Sequence, residues 1–108
     1  MNPDIAATAL TAAREAAAAA AEVIEHYWRR GVEVELKSDA TPVTIADREA
    51  EQAIRRVLQM ALPQASIYGE EYGLDGERGG LLWLVDPLDG TKSFVRRTPF
   101  FSTQIALM

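Results

Sequence analysis

The sequence contains no cysteine, which excludes disulfides, thiol nucleophiles and thiolate metal sites. That absence is compatible with a reducing compartment, and a cytoplasmic location is the expectation. Histidine occurs once, at His26, beside Tyr27 and Trp28 near the end of an alanine-rich segment. This setting assigns His26 to structure rather than to acid–base catalysis. Positive charge is in deficit, with 11 Lys and Arg against 16 Asp and Glu and a net charge of −5. Arg55-Arg56 and Arg96-Arg97 are short pairs rather than a basic stripe, so nucleic acid is not an expected partner. No apolar run is long enough to span a bilayer, and no membrane association is expected. The alanine-rich start lacks the basic front of a signal peptide and is interrupted by Glu15, Glu22 and Glu25. There is no internal repeat, and 108 residues suggest one domain with a modest core.

The most informative stretch runs from Leu81 to Phe94. Leu81-Leu82-Trp83-Leu84-Val85 reads as a buried strand. It ends on Asp86, and Pro87 is expected to stop it from continuing as a central ladder member. Gly90 permits a tight turn, and Thr91-Lys92-Ser93 reads as a short helix start with a hydroxyl cap. Asp86 and Asp89, three apart on a turn, can point to one side, where two anions repel unless a cation lies between them. Oxygen donors without cysteine favour magnesium, manganese or calcium over zinc. Amides at Gly90-Thr91-Lys92 opening a helix would suit a phosphate. An Asp-Pro turn followed by an Asp-Gly turn, with no ligand at all, explains the same residues.

Elsewhere, Asn2-Pro3-Asp4 opens a helix expected to run to about Arg30, with Gly31 as its stop. Ile5, Leu10, Ala13, Ala17, Ile24, Tyr27 and Trp28 mark its expected apolar face. Val32 to Leu36 alternates as an edge strand, and Lys37 to Pro42 is a polar loop. A second helix begins at Thr44, with Asp47 in the position of a capping-box acid. Ala50, Ala53, Ile54, Val57, Leu58 and Ala61 form its apolar face, and Pro63 ends it. Ser66-Ile67-Tyr68 is a short strand leading into Gly69-Glu70-Glu71; Leu74 to Gly80 reads as loop. Phe100 to Met108 is a last strand.

Asp86-Pro87-Leu88-Asp89-Gly90-Thr91, preceded by its apolar strand, resembles the signature of the inositol monophosphatase family. Gly69-Glu70-Glu71 resembles the family's acidic pair, and Lys37 through Val43-Thr44 to Asp47 resembles its Lys…Val-Thr-x-x-Asp segment. The three matches follow in order. The resemblance implies the N-terminal half of a layered αβαβα fold, an α+β architecture with two long helices packed on a mainly antiparallel sheet. Residues 1–108 would be the N-terminal portion of one domain. The family's C-terminal half, with a further metal-binding aspartate in a Trp-Asp segment, has no counterpart, so this chain alone is expected to turn over little substrate.

The resemblance also implies roles. Glu70, Asp86, Asp89 and the Leu88 carbonyl would hold Mg2+, with Glu71 supporting them from behind. Asp47 and Thr91 would be catalytic, orienting and helping to deprotonate the attacking water. Gly90 and Thr91 amides would hold the substrate phosphate. Lys37 and Asp39 would lie in a loop near the metals. The implied activity is a Mg-dependent phosphomonoesterase acting on a small phosphorylated alcohol. Histidinol phosphate is slightly favoured by Gly69-Glu70-Glu71-Tyr72-Gly73, by Asp89-Gly90-Thr91-Lys92-Ser93-Phe94 and by the Pro99 to Leu107 segment. Inositol-1-phosphate and a 3'(2'),5'-bisphosphate nucleotide are the alternatives. Because many family members are dimers, a homodimer is a further expectation. A reading of another class is a non-catalytic metal-binding interaction fragment docking through the alanine-rich helix.

Overall fold

A computed structural model of the chain describes residues 1–30, 35–36, 42–76, 80–98 and 101–108. The expectations for Gly31, Val32 to Val34, Lys37 to Thr41, Glu77 to Gly79, Pro99 and Phe100 lie outside them.

Helix α1 spans Pro3–Arg30. The Asn2 side chain accepts from the Asp4 amide at 2.7 Å, which satisfies one of the donors that a helix start leaves unpaired. Its buried face is Ala9, Ala12, Ala16, Ala20 and Ile24, at helical spacing. This stripe differs from the expected one: Leu10 is 54% exposed and Ala17 faces solvent. The face in contact is built from the smallest side chains because α1 lies directly along α2, and a leucine between them would hold the axes apart.

Helix α2 spans Ile45–Ala61, capped by Thr44 and ending just before Leu62 and Pro63. Its buried residues include Ala46, Ala50, Ala53, Ile54 and Leu58, and also two acids, Asp47 and Glu51. The helices pack on a four-stranded sheet of order β4-β3-β5-β6, with β3 at Ser66–Gly69, β4 at Gly73–Asp75, β5 at Leu82–Asp89 and β6 at Ser102–Leu107. Strands β3 and β5 are parallel; β3–β4 and β5–β6 are antiparallel, as the expected mainly antiparallel sheet requires. Glu35–Leu36 (β1) and Pro42–Val43 (β2) form a separate antiparallel pair. Ile67, Trp83 and Val85 enter the core with the helix alanines. Tyr68 and Leu84, on the opposite face, are partly exposed. Trp28, Phe94 and Phe101 form a ring triangle with centroids 5.3–5.8 Å apart that ties the end of α1 to the far end of the sheet.

Three local expectations are corrected. Residues 73–75 form an edge strand rather than loop, because β3 turns back at once into an antiparallel partner. Strand β5 runs through Pro87 to Asp89. Its ladder to β3 ends at Val85, and on the β6 side the register shifts between Asp86 and Asp89. A missing N–H at Pro87 therefore costs no central ladder bond. Finally, α3 (Thr91–Val95) has no side-chain cap; Gly90 is its N-cap, in the left-handed region at φ 91° that glycine adopts without penalty. The Thr91 hydroxyl is used elsewhere.

The small-residue contact between α1 and α2 is testable. Ala16→Leu, at a fully buried position, is expected to destabilise the fold by about 1–3 kcal/mol through overpacking. Ala17→Leu, on the exposed side, should stay within about 0.5 kcal/mol of the parent in urea denaturation. Equal losses would contradict the assigned face.

Candidate active site

The candidate site is assembled at the carboxyl ends of the parallel strands β3 and β5, where side chains leave a rigid sheet for the loops. The Glu70 amide donates to the Val85 carbonyl at 3.0 Å, extending that ladder by one step and placing Glu70 beside the end of β5. Asp86 follows Val85 and points to the open face, lining a groove with Tyr68, Glu70, Leu84 and Gln104. Asp89 ends β5, exposed, and its carboxylate accepts from Gln104 Nε2 at 3.0 Å.

Asp86 is half-buried, and its pKa is raised from the ordinary 3.8. Desolvation is the main cause, followed by the charges of Glu70 and Asp89 and, less strongly, Asp47. A backbone hydrogen bond from Leu88 opposes the shift. Three carboxylates from three segments thus act on Asp86.

Asp47 makes the tightest contacts. Its Oδ2 accepts from the Thr44 amide at 2.9 Å and from Thr44 Oγ1 at 2.6 Å. The Asp47 amide completes a capping box by donating to Thr44 Oγ1 at 3.4 Å. The other oxygen, Oδ1, accepts from Thr91 Oγ1 at 2.8 Å, and that hydroxyl also lies 3.2 Å from the Leu88 carbonyl. The structural and the implied functional roles of Asp47 therefore use different oxygens of one carboxylate. Leu88 buries its side chain in the core and turns its carbonyl towards Thr91. The Pro87 carbonyl accepts from Thr103 Oγ1 at 2.8 Å, fixing the bulged strand end.

Glu71 differs from its neighbour Glu70: both of its carboxylate oxygens are shielded from solvent, whereas Glu70 is exposed. A solvated acidic turn is thereby excluded for Glu71. Lys37 and Asp39 lie outside the described residues.

Two residues in the site's support were missed from the sequence. Glu51, with its side chain fully buried, accepts from the amides of Glu71 at 2.8 Å and Tyr72 at 2.9 Å, and from Arg55 Nε at 3.0 Å. Arg55 reaches on to the Gly73 carbonyl at 2.6 Å. The available signal was position. Asp47, Ala50, Glu51, Ile54 and Leu58 follow helical spacing, so Glu51 falls on the buried stripe, where an unpartnered charge is not tolerated.

The donor set fits a hard divalent cation on its chemistry: Glu70, Asp86 and Asp89 offer only oxygen, and the repulsion raising Asp86 is what a cation between them removes. Among the described residues, no three Asp, Glu or His side chains stand close enough to cage an ion by themselves. Residues that fit the ion's chemistry are therefore coupled electrostatically without forming a closed cage.

A profile of the inositol monophosphatase family matches residues 6–108. The histidinol-phosphatase of Streptomyces coelicolor is 45% identical over 91 residues, covering 84% of this chain and 34% of that protein. The bifunctional phosphatase IMPL2, chloroplastic, of Arabidopsis thaliana is 45% identical over 92 residues, covering 83% of this chain and 27% of its own length. The crystal structure of extragenic suppressor protein suhB from Bartonella henselae superposes with a TM-score of 0.81 at 36% identity, covering 91% of this chain and 38% of that one. The chain thus spans about a third of the length of the proteins it matches.

The raised Asp86 pKa has a definite sign. A group whose folded pKa lies above its unfolded one favours the fold while protonated. That contribution is present below about pH 3.8 and is lost as pH rises through the higher folded value. Without divalent ions, Asp86→Asn should therefore be more stable than the parent at pH 7, with the gain narrowing as pH falls into the carboxylate range. Urea denaturation across that range checks it; a gain that is absent at pH 7, or constant with pH, would contradict the raised pKa of Asp86.

Proposed function

The chain belongs to the inositol monophosphatase family, and from that membership we propose that it is the N-terminal part of a magnesium-dependent phosphomonoesterase whose substrate is a small phosphorylated alcohol. The observation that supports this reading is the placement of Glu70 beside the end of β5, where it lines one groove with Asp86, and Asp89 follows three residues on.

In this reading Glu70, Asp86, Asp89 and the Leu88 carbonyl hold the ions, and Glu71 supports them from within. Magnesium, when bound, supplies neutralisation of phosphate charge and acidification of water. The chain's own residues do the rest. Thr91 Oγ1, fixed between Asp47 Oδ1 and the Leu88 carbonyl, orients the water that attacks phosphorus. Asp47 accepts a proton through that hydroxyl, so the water approaches with its lone pair directed in line with the scissile bond. Gly90 and Thr91 amides hold the phosphate oxygens. The leaving alcohol takes its proton from solvent or from a group outside this chain.

Histidinol phosphate is the substrate we favour. The support is the wording of the Gly69–Gly73 and Asp89–Phe94 segments, together with the name of the Streptomyces relative. Inositol-1-phosphate and a 3'(2'),5'-bisphosphate nucleotide are the alternatives, and similar proteins bear those names as well. A non-catalytic, ion-binding fragment is the remaining reading; it predicts divalent-ion binding with no hydrolysis from the complete reading frame.

The assay is phosphate release from the three substrates, with and without Mg2+, by the polypeptide of the complete reading frame. Asp89→Asn in that protein should lower turnover by at least roughly a hundredfold, the upper end of losses from groups that only support a ligand, while leaving its far-UV spectrum unchanged. Parental turnover in the variant would refute the assignment of Asp89.

A further inference from the structure

Glu51 has no place in the chemistry proposed above, yet it is among the most enclosed charged groups of the fold. A buried carboxylate is strongly unfavourable unless every lone pair is answered. Glu51 meets that demand with the two backbone amides that follow Glu70, at 2.8 and 2.9 Å, and with the Arg55 guanidinium. Those amides are the hinge of the β3–β4 turn. Arg55 closes the other side of the turn through the Gly73 carbonyl. The preceding residue is fitted to the same group: a Cβ on Gly69 would collide with the Glu51 carboxylate. Gly69 is thus small because Glu51 lies against it.

We infer that Glu51 is the positioning residue for Glu70. It sits inside the turn Gly69–Tyr72 and fixes the direction in which Glu70 leaves the end of β3, toward Asp86. This inference rests on the reading of Glu70 and Asp86 as ion donors. It adds that the site's affinity for a divalent ion is set from helix α2 by a residue that never touches the ion.

Two variants perturb the contact from opposite sides. Glu51→Gln keeps the shape but turns one acceptor into a donor facing an N–H. Gly69→Ala keeps Glu51 and displaces its carboxylate. Leu58→Val, two turns along α2, is the control for loss of stability alone. Amide hydrogen exchange and Mn2+ binding, followed by electron paramagnetic resonance, are measured on all four proteins, with melting temperatures recorded alongside.

In both turn variants, exchange at the Glu71 and Tyr72 amides should be about tenfold faster or more, as expected for losing a hydrogen bond to a charged group. Mn2+ affinity should fall about tenfold or more. Leu58→Val should lower the melting temperature and leave affinity unchanged. Unchanged exchange at Glu71 and Tyr72 overturns the hold of Glu51 on the turn. Faster exchange with parental Mn2+ affinity overturns its transmission to Glu70. A parent chain with protected amides that binds no Mn2+ overturns the ion-donor reading itself, and this inference with it, and is told apart by the parent measurement alone.

Discussion

Asp47 and Glu51 stand one helical turn apart on α2, and both keep their carboxylates inside the protein. Each is answered by three donors. Asp47 accepts from the Thr44 amide, the Thr44 hydroxyl and the Thr91 hydroxyl. Glu51 accepts from the Glu71 and Tyr72 amides and from Arg55. Removing any one partner leaves a charge without its full set of hydrogen bonds, at a cost of order 1–3 kcal/mol or more. Helix α2 can therefore settle on the sheet only when both strand-end turns are in place. The turn after β3 carries Glu70; the end of β5 carries Asp86 and Asp89, and Thr91 opens α3 just beyond it. One helix face thus fixes two acidic segments that are well separated along the chain.

The sheet supplies what the helix cannot. Parallel pairing of β3 and β5 brings both carboxyl ends to the same edge of the molecule. The register shift beyond Asp86 admits Pro87 and rotates the strand end, so that Leu88 enters the core while Asp89 faces out. The Leu88 carbonyl, with Asp47, then holds the Thr91 hydroxyl. Gly90, in the left-handed region, makes the turn into α3 without a capping side chain and so leaves Thr91 for that contact. Asp86 is the remainder of this arrangement: desolvation first, then the charges of Glu70 and Asp89, raise its pKa.

Much of this was legible in the residues. Hydrophobic period and cap chemistry located α1, α2 and their N-termini, because Asn2 and Thr44 are local signals that tertiary structure did not override. The capping role of Asp47 was visible from its distance to Thr44. Its bond to Thr91 was not, since it joins residues 44 positions apart. Leu10 was misplaced because hydrophobicity alone ranks leucine above alanine, whereas the closeness of two helices selects for size. Pro87 signals a strand end in sequence, yet β5 runs through it, because its effect depends on whether its neighbours are paired. The role of Glu51 lay in the register of the apolar stripe, where a charged residue signals a partner rather than solvent.

We propose that Glu70, Asp86 and Asp89, which form no closed cage among the described residues, take one divalent ion between them. Anomalous diffraction from crystals grown with Mn2+ tests it most directly. The account predicts an anomalous peak within coordinating reach of Asp86 and at least one of Glu70 and Asp89, and none at the exposed Glu22 and Glu25 of α1. Peaks confined to α1, or none beside Asp86 in crystals saturated with the ion, would contradict it.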